Sequence, residues 1–546
     1  MSAKDIFAGF KKEEDKNRLP IGRNEVMRAS EILRDYKNAR LNLERRIIEE
    51  EKWYRLRHWE VFGESNPLDR CQPVSAWLFN SIANKHADAM DNYPEPNVLP
   101  REKNDEAAAE RLSKILPVII ENNNFENTYS DAWWYKLKHG TAAYGAFWNS
   151  HKNGGRGDIE ISRIDLLNLF WEPGISDIQE SEHLFIVRAV NNSQLKSRYP
   201  DLSEKELSAG AEFKENPYDP SADMSEKTAV IDWYYKKEQD GKKVLHYCKY
   251  VGETVLFATE NSEEFKERGL YDHGQYPVVL DNMYPLEGTP AGFGLISVMK
   301  SPQMYIDRLN QVILENSVMS TRVRYFAKEG GGINEKEFLD WSKPIVHVEG
   351  SLNDERLRKI DIPAVSGNVL GVLQMKIDEL KETSGNRDFS QGSTSSGVTA
   401  AAAIAALQEA GNKTSRDVLS SSYRAYTHLA YLIIELVRQF YDSSRVFRIT
   451  GDSGEFEYVN YVPEENEGER ALFDIVIKPQ KKSSYSKLSQ NELAKEMYQL
   501  GFFQPGNSDQ ALAAIEIMDF DGKAQVKEEI RRIASKNEEM AGEAQM

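Results

Sequence analysis

The sequence predicts an α+β fold, mainly helical, and three observations carry that prediction. Apolar residues recur at helical spacing through Ile32, Leu33, Leu41, Leu43, Ile47 and Ile48 to Trp53, Tyr54 and Trp59. From Thr141 to about Tyr284 this pattern gives way to short alternating runs, separated by turn clusters such as Asn153-Gly154-Gly155. Two later stretches, Ser297–Phe326 and Val398–Tyr441, are longer than the roughly eight to twenty residues of an ordinary globular helix.

After the N-terminal helical arm, a second helix is expected from about Ser75 to Asp91, ended by a loop at Tyr93-Pro94-Glu95-Pro96. A third is expected over Asp105 to Glu121, kinked or cut short at Pro117, and a fourth over about Asn127 to Lys138. The alternating runs Ala143–Trp148, Ile159–Ile164, Leu184–Val190, Ala229–Tyr235, Val244–Tyr250 and Thr254–Ala258 read as strands of a mixed α+β unit.

Ser297–Phe326 reads as one helix, with Pro302 near its first turn, where proline is tolerated. Within it Tyr305, Leu309, Val312, Asn316, Met319 and Val323 recur in steps of four and three. That is a heptad-like seam with one polar layer. Arg308, Glu315 and Arg322 fall seven apart on another face, and both faces suit contact between copies. A rod of this length spans roughly 45 Å.

Gly330-Gly331-Gly332 ends the rod, and a compact insertion runs to about Pro363, with Phe338, Leu339, Trp341 and the strand-like Pro344–Val348. A shorter helix, Val369 to Thr383, aligns Val369, Leu370, Leu373, Ile377 and Leu380 and stops at Ser384-Gly385. The Ser/Gly/Thr-rich stretch Asn386 to Gly397 reads as a flexible loop. Val398–Tyr441 opens on Thr399 as an N-cap, contains no proline and has Gly411 as its expected kink. Strands at Val446–Thr450, Glu457–Val462 and Phe473–Pro479 follow. Helices at Ser489–Leu500, Asp509–Met518 and Lys523–Ser535 and an acidic, disordered tail close the chain.

A chain of 546 residues, 40% hydrophobic and 10% aromatic, can build about two to four structural units. Cys71 and Cys248 are its only cysteines, too few for a disulfide framework or zinc site, and that usage fits a reducing compartment. The polar, charged first seventeen residues do not read as a signal peptide. The longest apolar stretches, Val398–Leu407 and Leu429–Val437, fall well short of the roughly 18–20 residues of a membrane span, so a soluble protein is expected. With 69 basic against 87 acidic residues the net charge is −18. That disfavours a tight grip on nucleic acid, which rests on Lys and Arg displacing counterions, but it is compatible with DNA sliding past.

No catalytic, cofactor or metal site is expected. Gly392 to Thr399 has the glycine spacing of a phosphate-binding loop, but Val398 stands where a lysine must reach the phosphates, and a helix rather than a strand precedes it. His86, Asp88 and Asp91 lack ligand spacing and read as a solvated helix face. Arg156-Gly157-Asp158 reads as a turn. Trp133-Trp134, flanked by Tyr129, Tyr135 and Leu137, read as core or interface aromatics rather than a base-stacking platform. No GxSxG, HExxH, Cys–His pairing or spaced acid dyad is present.

Three motifs add to the order of elements. The most specific runs Gly385-Asn386-Arg387-Asp388-Phe389-Ser390-Gln391-Gly392, then Gly397-Val398-Thr399-Ala400 and Leu407-Gln408-Glu409-Ala410. The second joins Asp165 and Phe170-Trp171-Glu172-Pro173-Gly174 to Val187-Arg188 and Lys196-Ser197-Arg198-Tyr199-Pro200, with Glu172 where the pattern usually has Asp. The third is His139-Gly140-Thr141-Ala142-Ala143-Tyr144-Gly145. In this order they resemble the portal proteins of tailed bacteriophages over essentially the whole chain.

The resemblance implies a portal-type fold with wing, stem, clip and crown regions. Residues 1–290 would form the N-terminal wing, 291–328 the first stem helix, 329–364 the clip and 365–385 the second stem helix. Residues 386–397 would be the tunnel loop, 398–483 the long wing helix and return strands, and 484–546 the crown helices and tail. Family members form closed rings, commonly of twelve subunits, that conduct double-stranded DNA at one capsid vertex; they assemble in the host cytoplasm.

The tunnel loop would comprise Asn386, Arg387, Asp388, Phe389, Ser390, Gln391, Gly392, Ser393, Thr394, Ser395, Ser396 and Gly397. Clip residues Glu335, Glu337, Asp340, Trp341, Asp354 and Glu355 would meet the large terminase subunit and later a head-completion or adaptor protein. Major capsid and scaffold proteins would be further partners, and a membrane would not. Local charge agrees: Ser297–Lys328 carries five basic against two acidic residues, Glu329–Ala364 five against eight. Contact with DNA would be weak and independent of sequence, through Lys376, Lys381 and Arg387. Two other readings stay open. A packaging or remodelling ATPase requires a complete P-loop, and a non-viral helical scaffold leaves the Ser/Gly loop between two long helices unexplained.

Overall fold

The structure, a computed structural model, describes residues 19–63, 71–207, 217–219, 221–239, 241–321, 324–327, 334–340, 347, 349, 357–360, 363–385, 413–441, 444–450, 456–461, 473–481, 493–518 and 522–543. It divides into two units, one of residues 1–87 and 96–477, the other of residues 88–95 and 478–546.

Helix α1 (Arg23–Ala39) forms where Val26, Ala29, Leu33 and Tyr36 recur every three or four residues, and all four are buried. Helices α2 (Leu41–Tyr54), α3 (His58–Val61) and α4 (Trp77–Asp91) follow. α4 runs straight into strand β1 (Asn92–Pro100), where a loop was expected. Pro94, Pro96 and Val98 alternate inward, and the lost proline donors are tolerated because β1 has a neighbour on one side only.

Helix α5 (Glu106–Asn122) is neither ended nor cut short at Pro117. Leu112, Ile115, Leu116, Ile119 and Ile120 are buried on both sides of the proline, and that packing outweighs the missing hydrogen bond. Helix α6 (Phe125–His139) ends at Gly140.

Two antiparallel sheets fill the expected mixed region. β2 (Thr141–Asn149) is central between β3 (Asp158–Ile164) and β9 (Val278–Asn282). The second is a five-stranded meander of β4 (Leu169–Trp171), β5 (His183–Asn191), β6 (Lys227–Gln239), β7 (Lys242–Val251) and β8 (Thr254–Ala258), with short helices α7 (Asn192–Arg198) and α8 (Glu204–Leu207) between β5 and β6. Every second residue of its strands faces α1: Phe185 and Val187, then Ala229, Ile231, Trp233 and Tyr235, then Cys248 and Tyr250. Burial there pushes the Cys248 thiol up to about 12, which makes it a packing residue rather than a nucleophile. Neither cysteine is in a disulfide.

Helix α9 (Leu295–Thr321) is followed by β10 (Arg324–Ala327), α10 (Glu335–Leu339), β11 (Leu357–Ile360) and α11 (Gly367–Ser384). The helix expected to reach Phe326 is thus replaced at its far end by a strand, with Arg324 to Ala327 paired antiparallel to Ile360 to Leu357. The run Val323-Arg324-Tyr325-Phe326 is β-branched and aromatic, a composition that favours an extended backbone once a partner strand exists. Helix α12 (Lys413–Phe440) packs its apolar face, including Leu429, Leu432, Ile433, Leu436 and Val437, into the interior and lies along β2 and β9. Its expected extension from Val398 with a kink at Gly411, and the strand-like Pro344–Val348, lie outside the described residues apart from His347.

β12 (Arg445–Thr450) and β13 (Phe456–Tyr461) form an antiparallel pair, and β14 (Phe473–Lys481) pairs with β1. In the second unit, α13 (residues 493–499) precedes α14 (Ser508–Ile517) and α15 (Lys523–Glu543). Ala511, Ile515 and Ile530 make its core with Phe502, Phe503, Leu512 and Val526. The expected disordered tail is helical as far as Glu543, where Glu, Met and Ala predominate and favour helix.

Candidate functional site

The pair α9–α11 stands out because the two halves of α9 have opposite surroundings. Its first half is buried through Leu295, Ile296, Met299, Pro302, Gln303, Ile306, Asp307 and Gln311. Gln303 and Asp307 interrupt that apolar face one turn apart, and polar groups there must be bonded. The Asp307 carboxylate accepts from the Ser75 backbone N–H at 3.0 Å, from Gln303 Nε2 at 3.1 Å and from His58 Nδ1. Gln303 Nε2 also donates to Ser75 O at 2.8 Å, and Gln303 Oε1 accepts from Leu78 N. These bonds pin α9 to α3 and to the start of α4.

A second anchor uses the acidic run Glu49-Glu50-Glu51 on α2. Ser297 Oγ donates to Glu50, His139 Nδ1 lies 3.1 Å from Glu50 Oε2, Lys300 Nζ pairs with Glu49 at 3.0 Å, and Lys138 Nζ pairs with Glu51 at 2.6 Å. Burial pushes the Glu51 carboxyl up, but the neighbouring His139 ring and Lys138 ammonium outweigh it and hold the group down at about 2. A carboxyl depressed in the folded state stabilises above its unfolded value of 4.5, and that contribution disappears as pH falls from 4.5 towards 2. Urea denaturation between pH 5 and pH 2.5 should therefore show the native chain losing more stability than Glu51→Gln. Parallel losses would contradict the assignment.

Gly140, in the left-handed region at φ +88°, lies against Phe293 and Gly294, just before α9. Its motif, His139 to Gly145, therefore marks the place where α6, β2 and the start of α9 meet.

Among the described residues the far half of α9 and most of α11 have no such surroundings. Asn316 Nδ2 donates to Pro363 O at 3.1 Å, and Lys376 Nζ lies 5.4 Å from the centre of the Tyr305 ring, so later residues of α11 lie beside earlier residues of α9. The helices are antiparallel neighbours, joined at their far ends by the β10–β11 ladder. α11 turns Val369, Leu373, Ile377 and Leu380 inward and ends at Gly385, φ +69°. Tyr305, Val312, Leu314, Val318 and Met319 on α9, and Leu370, Val372 and Met375 on α11, are exposed, with Met375 at 57% and Met319 at 51%. Exposed apolar side chains in that density mark an association surface.

The expected interface residues divide accordingly. Tyr305, Val312 and Met319 are exposed, Leu309 and Asn316 half-buried, and Arg308 is stacked on Trp59 and Phe62. Glu315 is half-buried, with Oε1 enclosed and unbonded; Arg322 and Val323 lie outside the described residues. Lys376 pairs with Glu379 at 2.6 Å, and Lys381 lies over the Trp77 ring. Glu337 accepts from His347, and Glu335 shares its short helix α10, with Asp340 just beyond. Trp341, Asp354, Glu355 and the whole of Asn386–Gly397 lie outside the described residues.

His86 is not on a solvated face: its ring stacks on Trp134 at 4.0 Å and its Nε2 contacts Ser130. Trp133 is buried. Among the described residues no group of three metal-ligating side chains occurs, and no helix is long and apolar enough to cross a membrane.

A model of the P22-like phage portal protein family matches residues 80–278 and 276–546, most of the chain and all of the helix pair. The chain belongs to that family. It is a structural rather than an enzymatic family of the tailed-phage particle, whose members form oligomeric rings at a capsid vertex. No curated protein matches the chain. The buried anchors of this portal chain were not singled out in the sequence. Their only signal was polar residues, Gln303 and Asp307, at i and i+4 on an otherwise apolar helix face.

Proposed function

We propose that the chain is one subunit of a closed ring, of about twelve copies as is common in the family, through which double-stranded DNA enters and leaves a phage capsid. The observation that carries this reading is the set of exposed apolar side chains on α9 and α11, on a helix whose first half is fixed by two polar anchors. These side chains are already about half covered, so burying the rest against a neighbouring copy contributes about 0.7–1.5 kcal/mol each, and a ring closes when each subunit presents two complementary faces.

In this reading α9 and α11 are the stem, β10, α10 and β11 belong to the clip, Asn386–Gly397 is the tunnel loop, and α13 to α15 belong to the crown. Glu335, Glu337, Asp340, Trp341, Asp354 and Glu355 face the large terminase subunit and then the adaptor protein, and the capsid and scaffold proteins hold the rim. The subunit catalyses no reaction. Its net charge of −18 keeps the duplex from binding tightly. Lys376 and Lys381, each already engaged within the chain, and Arg387 supply brief contacts to the DNA backbone.

Capsids assembled during infection without this chain should contain no genome, and filled capsids in its absence would refute the proposal. In the same packaging assay Arg387→Ala should reduce packaging or retention; unchanged values would remove the cation assignment alone.

A further inference from the structure

A cleft of about 340 Å³ opens between the α1–α2 corner, the turn after β4 and the loop that leads into α9. Two arginines line it, Arg40 and Arg46, and no acidic side chain does. The rest of the lining is largely apolar, including Leu43, Trp171, Leu286 and Ala291. Volume and composition fall at the small end of ligand clefts.

Both guanidiniums are held in place by backbone carbonyls, and Glu44 and Asp165 act on Arg40 from outside the lining. Arg40 is buried, with 9% of its surface exposed. Its Nη1 donates to Leu166 O at 2.7 Å and to Leu169 O, Nη2 donates to Leu167 O, and the Phe170 ring lies 3.8 Å beneath. Arg46 donates from Nη2 to Gly292 O at 2.6 Å. The Nε–H of each is enclosed and has no acceptor among the described residues. Burial pushes the Arg40 guanidinium down to about 10, which remains charged at neutral pH.

Two fixed, positively charged guanidiniums in a low-dielectric cleft whose lining holds no carboxylate favour an anion. The apolar lining beside Trp171 favours one with a hydrocarbon body. We propose that this cleft binds a carboxylate group carried on a small apolar body. The carboxylate belongs either to a free organic acid or to an acidic side chain of another copy of the chain. Because Arg46 is bonded to the carbonyl of Gly292, three residues before α9, an occupant would bear on the segment that sets that helix.

Benzoate is the probe, with benzamide as its neutral isostere, titrated by calorimetry into the full chain separated by size into single subunits and assembled protein. Benzoate should bind saturably and benzamide should not. Arg46→Gln should weaken benzoate by about tenfold or more, the equivalent of one charge-assisted contact, with an unchanged near-UV circular dichroism spectrum. Arg46→Lys should recover part of the loss. Binding by subunits and assemblies alike identifies a free acid as the occupant, whereas binding by subunits alone identifies a neighbour's side chain. Equal binding of benzoate and benzamide, or an unchanged benzoate affinity in Arg46→Gln, would overturn the proposal.

Discussion

Val312→Asp is expected to leave a folded subunit that no longer assembles. Val312 is 50% exposed on α9, so in the single chain the substitution exchanges one solvated side chain for another, with an effect within about 0.5 kcal/mol. In the proposed ring the next copy would cover this position, and a carboxylate transferred there without a partner would cost on the order of 3 kcal/mol or more. That is over a hundredfold per contact, repeated around every subunit of the ring. Light scattering after size-exclusion chromatography reads assembly, and thermal unfolding of the same fractions reads stability. A variant that still assembles would move the interface away from this face; one that unfolds would show that Val312 serves the subunit's own core.

Gly140→Ala is expected to destabilise the subunit itself by about 4 kcal/mol. An L-residue at φ +88° costs roughly 1–3 kcal/mol. The added Cβ would lie 2.0 Å from the Phe293 carbonyl carbon and 2.5 Å from Gly294 N, so backbone must move, and overpacking of that kind costs roughly a further 1–3 kcal/mol. Gly154 is the matched control: it has φ +67° but nothing within 4 Å, so Gly154→Ala carries only the backbone cost. Urea denaturation of unassembled protein separates the two variants. Equal losses would mean that the packing of the glycine against the start of α9 contributes nothing.

Much of this architecture was legible in the sequence because it follows local periodicity. Four strands of the five-stranded sheet were visible from runs such as Ala229 to Tyr235, while the three-residue β4 was too short to show, and α11 was visible from its apolar stripe and its Ser384-Gly385 stop. Where long-range pairing decided the outcome, local pattern misled. β1 carries Pro94 and Pro96 and looks like a loop until β14 pairs with it, and Arg324 to Ala327 continues a helical pattern until β11 offers a ladder. At Pro117 burial on both flanks outweighed the local breaker.

The helix pair was legible in a different way. Tyr305, Val312 and Met319 form a seam whose period could be read, but not the surface it faces. In the single chain it looks outward, while Met299, Gln303, Ile306 and Asp307 make the inner face. The anchors unite His58, Ser75, Glu50 and His139 with residues far away in the chain, so spacing marks only their α9 side, at Gln303 and Asp307, and not these partners.

Electron microscopy of the purified full chain tests the central claim most directly. Rods standing side by side, with the α9–α11 face covered by the neighbouring copy and an open axial channel wide enough for a duplex, are what this account predicts. Particles in which that face is folded back against its own subunit, or rings whose centre is closed by packed helices, would contradict it.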